Sequence, residues 1–107
     1  MSKMEAKIYF HYEWTAMGYG LNFRNIGDNP AESLTVELIE WHGRTDKYQL
    51  EQAFPSKGIT LLPGRQRGIM AALAPEGESE IVKERFCVRF TDGQGPKSQI
   101  IEVEFED

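Results

Sequence analysis

Polar and apolar residues alternate along most of this chain. Leu34, Val36 and Leu38 are interleaved with Thr35 and Glu37, Phe86, Val88 and Phe90 with Cys87 and Arg89, and Ile101, Val103 and Phe105 with Glu102 and Glu104. Successive side chains of a β-strand point to opposite faces, so a strand with one dry face and one wet face needs this period of two. The aromatic-rich run from Lys7 to Trp14 also suits a strand. Turn-forming clusters separate these runs: Gly27-Asp28-Asn29-Pro30, Gly43-Arg44-Thr45-Asp46, Pro55-Ser56-Lys57-Gly58, Pro63-Gly64, Pro75-Glu76-Gly77-Glu78 and Asp92-Gly93-Gln94-Gly95-Pro96. The pattern predicts strands over about 6–15, 18–25, 33–42, 47–53, 66–74, 81–91 and 98–106. The run 65–74 is ambiguous, because Ile69, Met70, Ala71, Ala72 and Leu73 are also good helix formers.

Seven short strands with frequent turns predict an all-β fold, an immunoglobulin-like antiparallel β-sandwich of about seven strands. A βαβ unit needs crossovers of a dozen residues or more, and the intervals are too short for them. The 107 residues suit one such domain, spanning 1–107. The shared phase places Phe23, Val36, Leu38, Val88, Phe90, Val103 and Phe105 in the core. Gly18-Tyr19-Gly20 lies inside a strand, where glycine marks a bulge or a close approach of another backbone.

Composition narrows the function classes. Hydrophobic residues make up 40% and charged residues 27%, as in ordinary globular domains. The formal net charge of −5 repels phosphate, which speaks against nucleic acid and anionic lipid as partners. No run of about 18 apolar residues is present, so no membrane-spanning segment is expected, and the first residues show no signal-peptide core. The compartment stays open, a piece of a larger envelope protein included. The single cysteine, Cys87, rules out an internal disulfide.

Several turns carry a resemblance. The stretch Asn25-Ile26-Gly27-Asp28-Asn29-Pro30-Ala31-Glu32-Ser33-Leu34-Thr35-Val36-Glu37-Leu38 resembles one common in immunoglobulin-like modules of bacterial and archaeal proteins, the cell-adhesion-related sandwiches, with fibronectin type III domains as more distant relatives. Leu62-Pro63-Gly64 looks like a turn of the same modules, and Phe86 to Phe105 is similar to their closing hairpin. The resemblance implies a fold. It brings no catalytic residue and no ligand, since such folds host many functions.

Candidate chemistry is sparse. His11 and His42 have no second His or Cys at ligand spacing, so no metal and no cofactor is expected. Cys87 has no base supplied by any motif and reads as a small packing residue. The serines form no nucleophile elbow. Asp92-Gly93-Gln94-Gly95 lacks the alternating carboxylates of a calcium loop and reads as a hairpin turn.

Aromatic residues stand out instead. The first strand puts Phe10, Tyr12 and Trp14 on one face and Tyr9 and His11 on the other. Inward Leu34, Val36 and Leu38 push Ile39 and Trp41 outward, unless a bulge returns Trp41 to the core. The commoner arrangement is that bulge, as for the buried third-strand tryptophan of immunoglobulin-like domains; where Trp41 stays outward, Trp41 and Ile39, with Arg44 from the neighbouring turn, are the candidate interaction surface. The expected function is non-enzymatic: a module that binds a protein or a carbohydrate through end loops or an exposed strand edge, as a monomer or weak homodimer. The alternative is a structural spacer with no ligand of its own.

Overall fold

The structure, a computed structural model, describes residues 4–73 and 81–106. Two antiparallel sheets face each other. One has three strands in the order β1 (Ile8–Thr15), β2 (Gly18–Asn25), β5 (Gln66–Ala71). The other has four, in the order β4 (Ile59–Leu61), β3 (Ala31–Glu40), β6 (Val82–Asp92), β7 (Gly95–Phe105). The chain changes sheet between β2 and β3, between β4 and β5, and between β5 and β6. Pro75-Glu76-Gly77-Glu78, expected as a turn, and Ala74, expected to end a strand, lie outside the described residues.

One predicted strand is a helix. Residues 47–53, expected as a strand, form α1 (Lys47–Ala53). The reason is local: the Asp46 carboxylate accepts the N–H groups of Tyr48 and Gln49, which caps the first turn. Leu50, Ala53 and Phe54 then recur at the helical spacing of three and four, and all three face the core. The count of seven strands is completed by β4, which was not predicted. The ambiguous run 65–74 is a strand over Gln66–Ala71.

Expected core positions Phe23, Val36, Val88, Phe90, Val103 and Phe105 are buried, while Leu38 is half-buried. Phe23 joins the layers. Its ring meets Phe10 of its own sheet at 5.1 Å, Phe86 of the opposite sheet at 5.8 Å and Phe54 beyond α1 at 5.2 Å. Gly18 shows why that strand needs glycine: a Cβ there would sit 2.3 Å from the carbonyl oxygen of Ala71.

Each end of the sandwich is tied by a buried polar residue that shares a strand's inward phase. At one end Asn25 donates to the carbonyls of Asn29 and Leu61, both at 2.9 Å, and accepts the amides of Lys7 and Gly27. Its backbone N–H donates to Arg65, and its carbonyl accepts from Gly64. The turns Asn25-Ile26-Gly27 and Leu62-Pro63-Gly64 thus meet at one side chain. Asp92, at the same end, accepts the amides of Ala6 and Gln94 and pairs with Lys97 at 2.8 Å. At the other end Glu84 is fully buried and holds the loop 41–46.

Candidate interaction surfaces

The loop after β3 decides what the expected surface residues can touch. A register shift between Leu38 and Glu40 makes Ile39 the extra residue of a bulge. Beyond it, the chain turns around the Glu84 carboxylate. One oxygen accepts the amides of His42 (2.7 Å) and Arg44 (2.9 Å), and the other accepts the amide and hydroxyl of Thr45. Converging backbone N–H groups form an anion-binding concavity, and here the chain fills it with its own carboxylate. The loop then runs along the outer edge of β5: Ala72 N–H donates to Arg44, Asp46 N–H donates to Met70, and Thr45 bridges to Ala71.

This arrangement separates the three expected surface residues. Ile39 and Trp41 are exposed, at 49% and 45%. The bulge is present, yet it does not return Trp41 to the core. The indole N–H donates to the Thr45 carbonyl at 3.0 Å, and the Lys47 ammonium lies 3.7 Å from the ring centroid. Arg44 corrects the expectation, because only 5% of it is accessible. Its Nε donates to the Ala72 carbonyl, and its guanidinium lies 5.0 Å from the Phe105 ring centroid and 5.9 Å from that of Tyr19. A planar, weakly hydrated guanidinium stacked between backbone and rings is a packing element of that end rather than part of a contact face.

Below Trp41 lies a groove of about 700 Å³. β4 pairs with β3 only at Ala31 and Leu34, so Thr35–Leu38 has no strand on that side among the described residues. Leu38 and Val36 of β3 face Leu50 and Phe54 of the helical segment across the groove, with Lys47, Glu51 and Arg89 at its rim. The bulge at Ile39 closes the usable edge at one end. At the other, the register shift around Ser33 (φ 53°) brings in β4.

A second, smaller cleft of about 250 Å³ opens where β1 and β7 finish. Tyr12, Tyr19, Glu104 and Glu106 line it. Sequence reasoning placed Tyr12 and Trp14 on one face of β1 but did not connect them with the acidic end of β7, because only the fold brings the two strands alongside.

The remaining candidates are scattered. His42 is exposed with Glu40 3.6 Å away. His11 stacks on Tyr9 at 5.8 Å, and its buried Nδ1 has no hydrogen-bond partner among the described residues. Cys87 is buried although its phase points away from the core, where Glu37 and Ile100 flank it in the ladder. The same outer face carries opposite charges side by side, Arg89 with Glu37 at 2.9 Å and Arg85 with Glu102 at 3.2 Å. Exposed pairs of this kind contribute at most about 1 kcal/mol each. Among the described residues no group of three or more His, Cys, Asp or Glu is placed to hold a metal ion, and no helix is long and apolar enough to cross a membrane.

Comparison of the chain with protein-family models, with curated proteins and with solved structures finds no match in any of the three.

Proposed function

We propose that this chain is an immunoglobulin-like β-sandwich acting as a non-catalytic interaction module, which takes an extended polypeptide segment along the open edge of β3. The strand neighbours support the fold assignment. First with second, second with fifth, third with sixth and sixth with seventh are the pairings of the constant-type immunoglobulin sandwich. The fourth strand pairs with the third instead of the fifth, as an added strand does in variable-type domains.

The observation that carries the functional reading is the edge Thr35–Leu38, without a strand partner on that side among the described residues, inside a groove with an apolar wall. An open strand edge offers N–H and C=O groups in strand register, and a polypeptide is the partner that matches them one for one. Half-buried Leu38, above the buried Leu50 and Phe54, offers an apolar contact to a side chain of the incoming strand, and exposed Ile39 follows it along β3. Selection from a displayed library of random short peptides tests this. Enriched peptides should protect the alternate amides within 35–38 that face the open edge from hydrogen exchange and should not bind Leu38→Arg. Peptides that protect other faces, or that bind the variant equally, would rule the edge out.

One observation favours the spacer reading as the alternative. Glu5 lies beside Asp28 at one end of the sandwich and Glu106 beside Tyr19 at the other, so the described chain enters and leaves at opposite ends of a body 52 Å long. A spacer would enrich no peptide.

A further inference from the structure

We infer that the cleft at the finishing ends of β1 and β7 is a binding site for an alkylated ammonium group. It is separate from the β3 edge and stands or falls independently of it. The floor is the Tyr19 ring, buried and fixed by its hydroxyl, which donates to the Glu106 carbonyl. Tyr12 forms one wall, its centroid 6.0 Å from that of Tyr19 and its plane tilted by 55°. Trp14 flanks the same ring at 5.6 Å and 58°. The opposite wall is acidic, Glu104 and Glu106. Inclined aromatic faces on one side and carboxylates on the other each attract a cation, since each ring face carries the negative lobe of its quadrupole.

Four observations narrow the ligand. Tyr12 and Trp14 remain 44% and 58% exposed, large apolar areas left wet on an edge strand, so burial by a ligand is favourable there. Glu104 faces Lys83 in the ladder, but the Lys83 ammonium pairs with Glu102 at 3.6 Å. The Tyr19 ring already takes the Arg44 guanidinium at 5.9 Å from its centroid, so this ring is used for cation–π contact within the fold itself. A cavity of about 250 Å³ is smaller than the sites of about 300–1,000 Å³ that enclose whole drug-sized ligands, and suits a head group. A bare ammonium is strongly hydrated and loses much of the gain on entering. An alkylated one is weakly hydrated and buries methyl groups against the rings while its charge faces the carboxylates.

The test uses the intact chain with Trp41→Phe, so that Trp14 is the fluorescent reporter. The probes are choline and dimethylbutanol, its neutral carbon analogue, in buffer of constant ionic strength. Choline should change the Trp14 emission saturably, and dimethylbutanol should bind at least about tenfold more weakly. Tyr12→Leu, which keeps the bulk and removes the ring face, and the pair Glu104→Gln with Glu106→Gln should each weaken choline binding, with the thermal midpoint showing that the variants fold. Equal response to both probes would reduce the cleft to an apolar patch and overturn the proposal, as would variants that bind choline unchanged. Phosphatidylcholine vesicles distinguish the source: co-sedimentation that free choline displaces assigns the group to a lipid head group, and choline binding without co-sedimentation assigns it to a free solute.

Discussion

Glu84 and Thr45 are joined twice: one carboxylate oxygen of Glu84 accepts both the backbone amide of Thr45 at 2.9 Å and its hydroxyl at 2.5 Å. The other oxygen holds the amides of His42 and Arg44. The loop that covers the edge of β5 and presents Trp41 therefore depends on one buried carboxylate. Removing it strands several buried donors at about 1–3 kcal/mol each. Glu84→Ala is expected to lower the unfolding free energy by at least about 3 kcal/mol in chemical denaturation, and Glu84→Gln by less, since the amide still offers one acceptor oxygen. A loss below about 1 kcal/mol for Glu84→Ala would show that the loop stands without its anchor.

Acid should weaken the opposite end. Burial pushes the Asp92 carboxyl up, but the Lys97 ammonium and the amides of Ala6 and Gln94 together outweigh it and hold the group below the ordinary carboxylate range. A lowered native pKa contributes stability that is present above the unfolded value of about 3.9 and is lost as pH falls through the native one. Lys97 is raised chiefly by its bond to this same carboxylate, so in acid the pair's contribution goes with the Asp92 charge, and in alkali it is lost as pH rises through the native Lys97 value. Wild type and Asp92→Ala should differ at neutral pH, begin to converge near about pH 4 and draw together further as pH falls through the lower native value, when denaturation midpoints are followed downward in pH. Parallel curves would mean that Asp92 is not the titrating link.

The aromatic junction carries the core. Phe23→Ala removes the ring that touches both sheets and Phe54, and should cost about 3–5 kcal/mol. Phe10→Leu, half-buried at the edge of that cluster, should cost less than about 1.5 kcal/mol. Equal losses in equilibrium denaturation would show that Phe23 is not the junction.

Alternation made the long strands legible. β3, β6 and β7 each show one apolar phase, and the residues in that phase face the core, with Leu38 of β3 half-buried. The helix was hidden because 47–53 is short and holds one strongly apolar residue, Leu50. Its signal was the Asp46 cap followed by Leu50, Ala53 and Phe54, with Pro55 as a stop. The polar anchors were missed, although parity carried a signal for them: Asn25 continues the phase of Leu21 and Phe23, and Glu84 and Asp92 bracket that of Phe86, Val88 and Phe90. A charged or amide side chain at an inward position near a strand end signals a loop held from beneath. Arg44 could not be placed from sequence, because its burial follows from Glu84, forty residues away, turning the loop inward. The groove and the cleft exist only through pairings between distant strands.

The last prediction concerns Trp41, whose indole is half wet with an ammonium resting on it. In Trp14→Phe it is the sole tryptophan, so its emission reports this loop alone. Bulk water reaches one side of the ring, which shifts emission to the red of a core tryptophan. Lys47 beside the ring concentrates anions there, so iodide should quench more strongly than the neutral quencher acrylamide does, relative to free tryptophan. Adding Lys47→Glu should reverse that order while leaving acrylamide quenching nearly unchanged, because charge and not access is altered. Lys47 also lines the groove beside β3, and a strand seated there would reduce quenching by both agents. A blue-shifted emission that neither agent quenches would place the indole in the core in solution. The loop would then pack differently from the geometry that Glu84 imposes, and the end of the groove would lose its aromatic contact.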